Sequence, residues 1–227
     1  MVSFYIPTHD AESWRERLAD PQKQWRVGYS ARALAYCWTA AEHGFPPEVA
    51  RVFAESGLAA FAGIEPLLGL VEHKVKMPGR GFPSQTDLFV LAKANDQIVS
   101  MVVEGKVDEP LGDRLARWND GTENKQTRLT AILDMLGLPP TVSGEVRYQL
   151  LHRMASAVIE ARRFNARSAV MLIHSFSETN RWFADFETFL ALYGRKGKIG
   201  EPVSLKTVDG LDLYAAWVHG DEKFRES

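Results

Sequence analysis

Between Gly69 and Val103 three β-forming runs follow one another with no helix between them, and this succession narrows the folds open to the chain more than any other feature. The first, Gly69–Met77, is closed by Pro78-Gly79-Arg80-Gly81. The second, Asp87–Lys93, runs into Asn95-Asp96, a pair suited to a tight turn. The third, Ile98–Val103, is apolar almost throughout, as expected of a central strand covered on both faces. The last two runs therefore read as a hairpin.

Helical patterning surrounds this block. Ser30–Glu42 carries apolar residues at helical spacing, with Ser30 as the expected N-cap and Gly44 as the stop. Pro46-Pro47 opens a helix expected from Glu48 to Ala60, with Val49, Val52 and Phe53 on one face. Downstream, helices are expected over Asn124–Leu136, over Glu145–Phe164 and over Thr179–Leu192, the last capped by Ser177 or Thr179. Ser168–Ile173 is a further buried strand, and Asp209-Gly210 turns a closing hairpin between Val203–Leu205 and Leu211–Val218. The central order α, β, β, β, α, β predicts an α/β fold with a mixed sheet flanked by helices.

Bulk properties exclude several classes. At 227 residues with 45% hydrophobic content the chain has apolar material for one large core, with no need of disulfides. The single cysteine, Cys37, rules out an internal disulfide and a cysteine-based zinc site, and suits a reducing compartment. The opening Met1–Asp10 shows no secretory signal and no apolar run spans a bilayer, so a cytoplasmic protein with no membrane partner is expected. A formal net charge of −2 argues against a polybasic nucleic-acid binder, though not against a local basic groove. There is no Gly-X-Ser-X-Gly elbow, no phosphate-binding glycine loop and no H-E-X-X-H, so hydrolase triads, nucleotide folds and that zinc signature fall away.

The residues that carry chemistry lie on the hairpin. Glu104 and Lys106 are two apart on one strand and so share a face, and the turn at Asn95-Asp96 brings Asp87 opposite Glu104 or one step away. Two carboxylates suit Mg²⁺ (or Mn²⁺), and a neighbouring lysine can orient water or support transition-state charge. Charges at the end of an apolar strand are costly unless paired or metal-bound, which favours a site over a solvated turn.

This arrangement resembles the PD-(D/E)XK nuclease superfamily on Asp87 and on Glu104-Gly105-Lys106, with the motif's leading proline displaced to Pro83. The likeness covers about Glu48 to Phe176 and, with the wider phrase from His73 to Glu109, looks like an uncharacterised bacterial branch. It implies a restriction-endonuclease-like αβββαβ core with extra N-terminal helices and a C-terminal hairpin. The implied domain is single: a helical part at about 10–62, a catalytic core at about 63–176, and a closing helix and hairpin at about 177–227. The implied activity is metal-dependent hydrolysis of phosphodiester bonds in nucleic acid, DNA ahead of RNA. Asp87, Glu104 and Gly105 are then metal ligands, and Lys106 assists the attacking water. The alternative is a binding or regulatory module that kept the fold and lost catalysis. Many members act as dimers, so a homodimer is the implied assembly.

From the same resemblance Gln149 is the helper expected on the helix after the third strand, with Arg153 as a phosphate clamp and Tyr148 beside the substrate. Glu72 is a candidate for a further metal position, as are Glu55 and Glu48. Lys74, with Lys76, Arg80, Arg162, Arg163 and Arg167, is expected to line a polyanion groove. Trp118 and Trp182 are the candidate stacking platforms.

Overall fold

The computed structural model describes residues 7–227, so the leading Met1–Ile6 of the expected signal-free N-terminus lies outside the described residues. Six strands form one mixed sheet: β1 (Glu65–Val75), β2 (Ser84–Ala94), β3 (Gln97–Lys106), β4 (Ser168–Ser175), β5 (Val203–Val208) and β6 (Leu211–His219). Their order is β1-β2-β3-β4-β6-β5. Neighbours are antiparallel through β1–β2–β3, parallel through β3–β4–β6, and antiparallel again at β5–β6. Both predicted hairpin turns form. Asn95 and Asp96 take φ 47° and 60°, and Asp209 and Gly210 take 50° and 78°, the backbone that two-residue hairpins require.

The described helices are α1 (Pro21–Gln24), α2 (Ser30–Ala40), α3 (Pro47–Ala54), α4 (Leu115–Trp118), α5 (Glu123–Met135), α6 (Tyr148–Arg163) and α7 (Phe183–Ala191). Helices α2 and α3 cover one face of the sheet, burying Leu34, Val49 and Phe53 against Met101, Val103 and Leu172. Helices α5, α6 and α7 cover the other, packing Leu133, Met154, Phe186 and Phe189 on Val102, Met171 and Trp217. Among the described residues no helix is long and apolar enough to cross a membrane.

Several boundaries depart from expectation, β1 beginning at Glu65 and α6 only at Tyr148 among them, and three of the departures have a local reason. The helix expected to reach Ala60 stops at Ala54, because Gly57 takes φ 66° and Ala59–Phe61 tightens into a 3₁₀ turn. Ser30 is the first helical residue of α2 rather than its cap. Its N–H donates to Glu109 Oε1 at 2.7 Å, so a carboxylate 79 positions away does the capping. The helix expected from Thr179 begins only at Phe183, behind Trp182 at φ 76°; the Ser177 hydroxyl accepts from Arg181 N instead.

Gly105 sits where α2 crosses β3. A Cβ there would stand 3.3 Å from both Leu34 Cβ and the Ser30 carbonyl oxygen, so the glycine sets how closely the helix approaches the strand end.

Candidate active site

Strand register lines up three carboxylates. Val71 faces Leu88 and His73 faces Thr86, which sets Glu72 opposite Asp87. Leu88 faces Val103, so one step further Asp87 stands opposite Glu104. Glu72, Asp87 and Glu104 thus form one cross-strand row over β1, β2 and β3. Glu72 occupies it with φ 51°, a left-handed backbone that a non-glycine residue adopts inside a strand only when its surroundings impose it.

The row borders a cleft of about 430 Å³ at the end of the sheet. Gln85, Lys106, Gln149 and Arg153 line it with the three acids, and Lys23, Gln24, Tyr29, Ser30 and Glu109 close the opposite side. The contribution of the α1–α2 segment has no signal in the sequence, since those residues come 50 or more positions before the motif.

Glu104 is held by three donors. Lys106 Nζ and Gln149 Nε2 donate to its Oε1 at 2.8 and 2.6 Å, and Arg153 Nε donates to Oε2. Arg153 is fixed in turn by Ser84, whose hydroxyl accepts from Nη1 at 2.8 Å and stands 3.0 Å from His152 Nδ1. Burial and the adjacent Arg153 push His152 well below the usual histidine range, so the ring is neutral and accepts the Ser84 hydroxyl through Nδ1. Asp87 Oδ2 accepts the Gly105 N–H at 2.8 Å, and Glu72 Oε2 accepts from Gln85 Nε2 at 2.6 Å.

Their ionisation divides accordingly. Burial raises Glu72 to about 8, and the facing Asp87 adds to it. Burial raises Asp87 to about 7, with Glu104 adding like charge. Burial works against Glu104 as well, but Arg153 and Lys106 overcome it and hold that carboxyl down at about 2. One acid is therefore a fixed anion and two are short of positive charge. Gln149 adds an acceptor, since its buried Oε1 has no protein hydrogen-bond partner among the described residues. The cleft thus gathers three carboxylates, two of them short of positive charge, beside a free amide oxygen.

Several expected residues lie elsewhere. Tyr148 does not border the cleft; its ring is buried and stacked on Trp118 at 3.6 Å between centroids. That contact covers one face of Trp118 while Lys125 lies over its ring, and Arg147 and Arg181 flank Trp182, so neither tryptophan is an open platform. Lys74 is exposed on β1 opposite Gln85, beside the cleft rather than in it. Arg162, Arg163 and Arg167 are paired with Asp209, Glu160 and Asp212, and none of the three borders the cleft. Glu55 is an exposed cap of α3.

Glu48 belongs to a separate cluster with Cys37 and His174, whose ligand-type atoms lie within 4.8 Å of one another. Trp38 Nε1 donates to His174 Nδ1 at 3.1 Å, which leaves the ring proton on Nε2, 3.1 Å from Glu48 Oε1. Cys37 Sγ donates to the same oxygen at 3.2 Å. A neutral imidazole already accepting at Nδ1 has no lone pair left on Nε2, so the trio is a closed hydrogen-bond network joining α2 and α3 to β4. Burial and the adjacent Glu48 push the Cys37 thiol far up. Cys37 is expected to resist a disulfide reagent in the native protein and to react fully on unfolding. Stoichiometric native labelling would show that the network is open.

Residues 7–222 match a family model described as a domain of unknown function, DUF6946. No curated protein and no solved structure matches the chain.

Proposed function

Since the chain belongs to the DUF6946 family, whose description carries no activity, we propose its function from the cleft: a metal-dependent phosphodiesterase acting on nucleic acid, on a restriction-endonuclease-like core. The observation that carries this reading is the cross-strand row Glu72–Asp87–Glu104 with Lys106, Gln149 and Arg153 converging on it. The strand order and the parallel β3–β4 pairing are compatible with the core named.

Glu72, Asp87 and Glu104 would hold Mg²⁺ or Mn²⁺, with the Gly105 carbonyl as a further ligand. The chemistry a bound cation supplies is neutralisation of phosphate charge and a more acidic water. The protein's own groups do the rest. Lys106, paired with Glu104 at 2.8 Å, lends positive charge to the scissile phosphate. Arg153, anchored on Ser84 and lining the cleft, would turn its guanidinium charge on a phosphate oxygen. The free Gln149 Oε1 accepts a hydrogen from the attacking water and orients it.

Full-length protein incubated with single- and double-stranded DNA and RNA in Mg²⁺ or Mn²⁺ tests this. Cleavage is expected to fall about 10²–10³-fold in Asp87→Asn and in Lys106→Ala, the scale on which single electrostatic groups count. Undiminished cleavage in both variants would remove this centre from the reaction.

One observation favours a second reading, a non-catalytic binding module of the same fold. Both oxygens of Glu104 are already engaged by three donors, so a cation must compete with Arg153 and Gln149. Titration calorimetry with Mn²⁺ at pH 8 separates the two: the enzyme takes up the ion and the module does not.

A further inference from the structure

We propose that the β1–β2 loop and the cations leading to it form a docking strip for an unpaired DNA strand, with Phe82 as the face on which a base stacks. The proposal rests on the phosphodiesterase reading of the cleft and names its substrate class. Phe82 is 90% exposed, far above any other large apolar side chain among the described residues, the next being Val27 at 56%. An aromatic ring held in water contributes nothing to the core, so its position needs another account.

The loop that presents it is braced. Arg128 of α5 donates to the carbonyls of Pro78, Arg80 and Phe82, each at 3.2 Å. Asn124 closes a two-way pair with Arg80, its amide donating to the Arg80 carbonyl and its oxygen accepting the Arg80 N–H, both at 2.9 Å. Gly79 and Gly81, at φ 78° and 120°, let the backbone curl under Arg128. Five hydrogen bonds to one helix brace the loop backbone, so the loop itself has little freedom left to lose when a base lands on the ring.

Charge marks the occupant. Lys74 on β1, Lys76 just beyond its end and Arg80 on the loop are exposed, and none has a carboxylate partner among the described residues, unlike Lys93, Lys125 and Lys198. They lie at the same end of the sheet as the acidic row. Lys74 stands opposite Gln85, which lines the cleft, and β2 leads from Phe82 to Asp87 in five residues, a span of at most ~17 Å at strand rise. Unneutralised cations ending on an open aromatic face match a phosphate backbone with an accessible base. In a duplex the bases are stacked on one another and the ring has nothing to meet.

Fluorescence anisotropy of a labelled dT oligonucleotide, with the full chain in EDTA and low salt, tests the strip without metal or turnover. Phe82→Ala is expected to weaken binding about 10-fold, within the range for one base–aromatic stack, and Phe82→Trp to preserve it. Lys74→Gln and Lys76→Gln should each reduce the salt slope by about 0.7, the single-strand value per phosphate contact. Phe82→Ala binding dT as tightly as the parent overturns the proposal, as does a parent that ignores dT, prefers a blunt duplex, or takes rU in its place. Because the assay involves no cleavage, a strip that fails leaves the phosphodiesterase reading to its own test, and a strip that holds survives an inactive centre. Phe82 packs on nothing, so unchanged thermal melts will confirm that the variants fold.

Discussion

Glu104→Ala is expected to destabilise the fold by about 3–5 kcal/mol, the scale for stripping one partner from a buried ion network. Lys106 and Arg153 are both buried and both take their charge partner from this single carboxylate. Removing it leaves two buried cations without the carboxylate they are bonded to, at the end of an apolar strand. For a chain of this size that is a loss of roughly 6–20 °C in melting temperature. Glu104→Gln should lose less, since the amide oxygen still accepts one of the three donors. Deleting the charges together, as Glu104→Leu with Lys106→Met and Arg153→Met, is expected to recover most of the loss. Thermal melts of the three proteins check this, and an alanine variant melting within about 2 °C of the parent would refute the network's structural role.

The second large effect concerns pH. Folding raises Asp87 from 3.8 to about 7 and Glu72 from 4.5 to about 8. A raised carboxyl binds more protons in the folded state than in the unfolded one. Stability of the metal-free protein must therefore fall as pH rises from about 4 through 8, by at most ~1.4 kcal/mol per pH unit for each group. Asp87 borders an open cleft, so water screens part of this and the observed slope will be smaller. Two consequences are measurable in melts at pH 6 and pH 8. Asp87→Asn should stabilise the metal-free protein at pH 8 by about 1–2 kcal/mol and flatten the profile while abolishing metal binding, the trade between stability and function found at strained sites. Mn²⁺ should stabilise the parent far more at pH 8 than at pH 6, because ligation requires both acids to be ionised. A parent profile that rises with pH over this interval would contradict both.

Much of the acidic row was legible in the chain. Alternation alone puts Glu104 and Lys106 on one face, and Asn95-Asp96 turns the hairpin tightly enough to return Asp87 to Glu104. Glu72 was only a candidate, because nothing local reveals that its backbone would be left-handed or that β1 would pair in the register that meets Asp87. The polar face of α6 was misjudged in part. Gln149 and Arg153 do reach Glu104, but Tyr148, next to Gln149 in sequence, turns to α4 and stacks on Trp118. Phe82 was passed over for Trp118 and Trp182, since residue type says nothing about which aromatic ring the fold leaves uncovered.

By itself, then, the sequence determined the strands, their turns and the paired acids of β2 and β3, because these rest on periodicity and turn chemistry within some twenty residues. Only the tertiary structure decided the third acid, the saturation of Glu104, the capping of α2 by Glu109 and the exposure of Phe82. Each of those depends on contacts between segments far apart in the chain, where register and packing, rather than local preference, set which groups share the same few ångströms.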